Sequence, residues 1–159
     1  MLLGWRVLRH HPFDRRLLAL VFLFAIFFAV TLVAMYPIGA ADIFNYVFYS
    51  RMLVKYGANP LAVPPKVFAS DPFYSHVLWM HSPAPYGPLW LLLTVPGTVL
   101  AGNELILNLF LMNALTAVFF LASAFVIYLI LRRLEPAYAL AGTLLFAWNP
   151  LVLFEAAGN

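Results

Sequence analysis

The run Leu17-Leu-Ala-Leu-Val-Phe-Leu-Phe-Ala-Ile-Phe-Phe-Ala-Val-Thr-Leu-Val-Ala-Met-Tyr36 decides the class of fold. Thirteen of its residues are Leu, Ile, Phe or Val. At roughly −0.3 to −0.6 kcal/mol each, they favour bilayer insertion by about 4–8 kcal/mol. A helix of this length matches a hydrocarbon core of about 30 Å. The run is too long for the apolar part of a cleavable signal peptide, and no small-x-small cleavage site follows it. The remaining composition agrees. Hydrophobic residues make up 65% and charged residues 9%, against roughly 25% charged in soluble domains. Mean hydropathy is +0.93. The expected architecture is an all-α integral membrane protein.

Charge then orients the chain. Four of the nine Lys and Arg residues, Arg6, Arg9, Arg15 and Arg16, precede the first run. Short basic flanks stay cytoplasmic, so the net charge of +3 reports membrane orientation rather than nucleic-acid binding. Residues 1–16 are expected as a cytoplasmic tail, 17–36 as a span and 37–85 as an external loop. The run 86–101 is short and interrupted by Pro96-Gly97, so it is read as re-entrant or as a short fourth span. Residues 104–131 and 137–154 are the other two full spans, with Arg132-Arg133 between them inside the cell. Asn149-Pro150 is expected to break or bend the last one. Chain 1–159 reads as a single multi-pass unit of the plasma membrane, truncated after Asn159. No cysteine is present, which excludes disulfides and thiolate metal sites.

The external loop carries the chemistry. Residues 43–56 lack internal Pro and Gly and are stopped by Gly57 and Pro60, so they read as a juxtamembrane helix. Asp42 stands at its N-cap position. Asp42, Asn45, Tyr49 and Tyr56 share one face; Phe44, Phe48, Arg51 and Lys55 share another, which suits an interfacial helix with its cations snorkelling toward phosphates. A carboxylate costs about 2.5 kcal/mol or more at a bilayer centre, so Asp42 belongs at the water interface. Arg51, Lys55 and Lys66 are the nearby cations. Asp71-Pro72 reads as a turn. His76 and His81 have no acid placed to complete a metal set, so no metal site is indicated. Asn108 and Asn113 are expected to hydrogen-bond between helices.

In order, the chain carries Asp42-Ile-Phe-Asn-Tyr46, Arg51, Gly57-Ala-Asn-Pro60, Tyr86-Gly-Pro-Leu-Trp90, Trp148-Asn-Pro-Leu151, Glu155 and Gly158-Asn159. This ordered set resembles the GT-C superfamily of polyprenol-phosphate-sugar-dependent glycosyltransferases, closest to the bacterial and archaeal alpha-1,6-mannosyltransferase type. The resemblance covers positions 17–159, the N-terminal part of a GT-C-like bundle. It implies an inverting transfer of a sugar, a mannose, from a polyprenyl-phosphate donor to a glycan or glycolipid hydroxyl outside the cytoplasm, within the cell envelope. It implies Asp42 as catalytic base. Asn45, Tyr46, Arg51, Lys55, Tyr86, Glu155 and Asn159 are the candidate substrate-binding residues, the last two placed by topology on the side of Asp42. Such members carry a His-Asn-Asp run beyond the position of Asn159, so the fragment itself is expected to be inactive. No cofactor is expected, and a divalent metal stays open. A transporter or flippase fragment shares the broken helices, and a non-catalytic membrane subunit would retain the fold. The chain shows neither an internal repeat nor an ionisable group inside its confident spans.

Overall fold

A computed structural model describes residues 15–37 and 42–157. Every regular element among the described residues is helical. We label the α-helices α1 (Arg15–Val33), α2 (Asp42–Tyr56), α3 (Pro88–Ala101), α4 (Leu105–Leu134), α5 (Ala139–Ala147) and α6 (Pro150–Ala157), with 3-10 turns at Pro65–Phe68, Tyr74–His76 and Pro136–Tyr138. The cytoplasmic tail assigned to 1–16 lies almost wholly outside the described residues, as does Asn159.

Two helices, α1 and α4, are long and apolar enough to cross a membrane. Their outward faces are lipid-like: Leu23 is 60% exposed, Phe27 63% and Val118 62%. Such surface is tolerated in a hydrocarbon medium, where exposure to lipid carries no hydrophobic penalty. The chain is a membrane protein. It divides into two compact units, one made of 15–35 with 116–157 and the other of 36–115.

In the first unit, Val21, Ala25, Ala29 and Val33 form a buried stripe along α1 at four-residue spacing. Small side chains at this spacing let helix backbones approach closely. Gly142 serves the same end, because a Cβ there would collide with the end of Leu131. The Trp148 indole N–H donates to the Val21 carbonyl at 3.1 Å, and Phe24 and Phe28 meet its ring edge-on at 5.3 and 6.0 Å. The run 137–154 is not one continuous helix. It breaks at Trp148-Asn149, where the Asn149 side-chain oxygen accepts the Leu151 N–H at 3.0 Å and Pro150 takes the first helical position. Both are helix-starting signals.

The second unit packs α2 against α3, and a hydrogen bond from the Thr98 hydroxyl to Ser50 Oγ, 2.7 Å, joins the two helices. Its core contains Ile43, Val47, Phe48, Tyr49, Met52, Phe73, Val77, Ala84, Leu91, Leu109 and Met112. The long loop folds back over α2: the Ala84 N–H donates to the Pro60 carbonyl and the Lys66 N–H to that of Met80. The face bearing Phe48 and Arg51 is therefore buried, at 0% and 3% exposure. It does not lie in the acyl boundary as the helical pattern suggested. The loop aromatics cover it instead.

The segment 86–101 also differs from expectation. Its helix α3 continues through Pro96-Gly97 without a break. Its 14 residues extend about 21 Å, short of the roughly 30 Å hydrocarbon core. It ends at Gly102, whose φ of +56° is costly for any side-chain-bearing residue. The Asn108 amide donates to the Glu104 carbonyl at 2.9 Å, at the start of its own helix, and to the Gly102 carbonyl at the C-cap of α3, at 3.4 Å. Asn113 is buried.

Candidate functional site

Asp42 opens α2, but its carboxylate is not spent on capping the helix. Oδ1 accepts the indole N–H of Trp79 at 2.9 Å. Oδ2 receives no hydrogen bond from the described residues. The residue is half-buried, and the indole contact gives its carboxylate a fixed direction.

One turn along the same face, Asn45 is buried. Its Oδ1 accepts the backbone N–H groups of Leu78 and Trp79, at 3.0 and 3.4 Å. Tyr46 lies beside Tyr86, ring centroids 4.8 Å apart, and beside Trp90 at 5.7 Å, both edge-on. Burial raises the Tyr46 hydroxyl well above the usual phenol range, reinforced by its hydrogen bond with Tyr86 and the nearby Asp42 charge. Burial also raises Tyr49, with smaller contributions from Tyr86 and Asp42. Its hydroxyl donates to the Ser82 carbonyl at 3.1 Å. Asp42, Asn45, Tyr46 and Tyr86 thus share one end of α2, roofed by residues 78–86. This cluster brings a carboxylate together with phenol hydroxyls and aromatic rings.

Arg51 and Lys55 belong to a different cluster. Arg51 Nε donates to both Asp71 oxygens, at 3.0 and 2.8 Å. Its Nη1 reaches the Gly102 carbonyl at 3.0 Å and its Nη2 the Asn103 oxygen at 2.7 Å. The guanidinium carbon sits 4.1 Å from the centre of the Phe73 ring. Lys55 Nζ and the Tyr56 hydroxyl also donate to Asp71, at 3.0 and 2.6 Å, as does the Phe73 N–H at 2.9 Å. Burial opposes the charge on Asp71. Hydrogen bonds from Tyr56, Phe73, Arg51 and Lys55 outweigh it and hold the carboxyl well below the usual carboxylate range.

Along α2, Arg51 stands about 13 Å and Lys55 about 20 Å from Asp42, at 1.5 Å per residue. A base and a leaving phosphate flank one carbon, so they lie only a few ångströms from it. As candidate substrate-binding residues, Arg51 and Lys55 therefore stand apart from the Asp42 end of the helix. Arg51 is occupied and buried, and both residues hold the loop to α2. Lys66 is exposed. Glu155 lies exposed on α6, in the other unit, and Asn159 lies outside the described residues.

Two residues were undervalued in the sequence. Asp71 is more than a turn former: it is the hub of the buried ion cluster. Charge balance pointed to it, since it is the only acid between Asp42 and Glu104 in a stretch that holds Arg51, Lys55 and Lys66. Trp79 carried no such signal. Among the described residues, no group of His, Asp and Glu is placed to hold a metal ion.

The family model for the N-terminal domain of alpha-(1->6)-mannopyranosyltransferases matches residues 1–159. The chain belongs to that family. No curated protein and no solved structure matches it.

Proposed function

We propose that this member of the mannopyranosyltransferase family transfers mannose from a polyprenyl-phosphate donor to a hydroxyl of a glycan or glycolipid on the extracytoplasmic face, with inversion. Asp42 is the general base. The observation that carries this reading is its carboxylate, with one oxygen held by Trp79 and the other open, beside Asn45, Tyr46 and Tyr86. An alcohol attacking an anomeric carbon sheds its proton as the new C–O bond forms. Oδ2 takes that proton while the bond to the phosphate oxygen breaks and the phosphate departs with the electron pair. Such proton transfer contributes about 10²–10⁴-fold. Phosphate is a good leaving group that needs counter-charge more than an acid, and this charge comes from outside α2.

A carboxylate at the water interface of a lipid-facing bundle suits a substrate whose tail remains in the bilayer. Three crossings, by α1, by α4 and by the α5–α6 pair, with the 14-residue α3 too short to cross and both its ends on the outer side, keep Asp42 external and Arg132-Arg133 cytoplasmic. A helix pair broken at midspan is tolerated where protein surrounds it. Family membership weighs against the transporter reading. The test uses right-side-out vesicles bearing the full-length protein. Polyprenyl-phosphate-mannose should support transfer to an α-mannoside acceptor, whereas a nucleotide-linked mannose should not. The product should have the anomeric configuration opposite to the donor's. Transfer from the nucleotide sugar, or retention of configuration, would reject the reading.

A further inference from the structure

We infer that Trp79 is a positioning residue for the transfer reaction, aiming the Asp42 carboxylate through its indole N–H. The inference rests on the reading of Asp42 as general base. Trp79 is 54% exposed, so burial does not explain where its ring lies. Two contacts do. Its backbone N–H, with that of Leu78, is held by the buried Asn45 Oδ1, and its side chain returns one turn up α2 to Asp42 Oδ1. Residue 79 is thus gripped at both ends by residues three apart on one helix, which are neighbours on its surface.

The orientation of Asn45 supports this. Two backbone donors meet at its side chain, so the atom facing them must be the acceptor oxygen. The amide nitrogen, Nδ2, is left buried with no partner among the described residues. An unsatisfied buried donor is destabilising, and its retention in a folded protein calls for an explanation. Here the amide anchors the loop that carries the indole. The consequence is chemical. Occupying Oδ1 with a charge-assisted hydrogen bond fixes the carboxylate plane and leaves Oδ2 as the oxygen for the acceptor hydroxyl's proton. Tyr46, Tyr49 and Tyr86 are the other titratable groups close to this carboxylate, and His76 stacks on Phe44 nearby.

The test is a double-mutant cycle on the full-length protein, assayed with polyprenyl-phosphate-mannose. Trp79→Phe keeps an aromatic ring and removes the N–H. A hydrogen bond to a partly exposed charged group predicts a kcat loss of about tenfold with KM nearly unchanged. In the Asp42→Asn background, where no carboxylate is left to aim, Trp79→Phe should cause no further loss. Multiplicative losses in the cycle, a loss confined to KM, or unchanged kcat in Trp79→Phe would overturn the role of Trp79 while leaving Asp42 as base. Full activity of Asp42→Asn would instead overturn the base itself.

Discussion

Replacing Asp71 with Asn should destabilise the loop-bearing unit more than any other single polar change within it. The Asp71 side chain is fully buried and Arg51 nearly so, at 0% and 3% exposure. Asn keeps an oxygen for the Phe73 N–H but removes the charge that balances Arg51. Breaking a buried pair while one charge stays behind costs about 3–5 kcal/mol. Lys55 contributes little, because its side chain is 40% exposed and exposed pairs are worth at most about 1 kcal/mol. For a chain of this size, 3–5 kcal/mol corresponds to a melting-point drop of about 6–20 °C. The assay is thermal unfolding of the purified protein in lipid nanodiscs. Lys55→Ala should move the midpoint by only a few degrees. A drop for Asp71→Asn no larger than that for Lys55→Ala would refute the reasoning.

Acidification should act through the same cluster. The folded Asp71 carboxyl titrates well below the usual carboxylate range, so the unfolded chain takes up this proton first. The stability it supplies is intact above about pH 4 and is lost as pH falls further, toward the folded value; pH-dependent unfolding midpoints report it. Gly102→Ala should cost about 1 kcal/mol or more in unfolding experiments, because φ there is +56° and its carbonyl must still meet Arg51. Asn149→Ala should cost about 1 kcal/mol in the same assay through loss of the cap on α6. Single cysteines placed at 42 and 103 of this cysteine-free chain should react with an impermeant maleimide in intact cells, and one at 134 should not. Labelling at 134 would mean that residues 86–101 cross the membrane.

The elements with local causes were readable in the sequence. The Leu17–Tyr36 run announces its helix by length and composition alone. Gly57 and Pro60 mark the end of α2, and Asn149-Pro150 marks the break before α6, because caps and breakers act within a few residues. The loop's function as a roof was not readable. Arg51 finds Asp71 across 20 positions and Asp42 finds Trp79 across 37, separations to which helical periodicity is blind. For the same reason Arg51 looked like a snorkelling cation: its sequence neighbours are aromatic, whereas its counter-charge lies in the loop. Pro96-Gly97 misled in the other direction. In α3 a proline forfeits one backbone hydrogen bond, and packing against α2 keeps the helix continuous.

The central claim is that the Asp42 carboxylate removes the acceptor's proton. Single-turnover transfer from polyprenyl-phosphate-mannose by full-length protein carrying Asp42→Asn tests it most directly. The amide preserves size and can still accept the Trp79 N–H, but it cannot act as the base. The account predicts normal membrane insertion, donor binding within about twofold of the parent, and a rate lowered by about 10²–10⁴. A rate above about a tenth of the parent's, well outside the range for lost proton transfer, would contradict it.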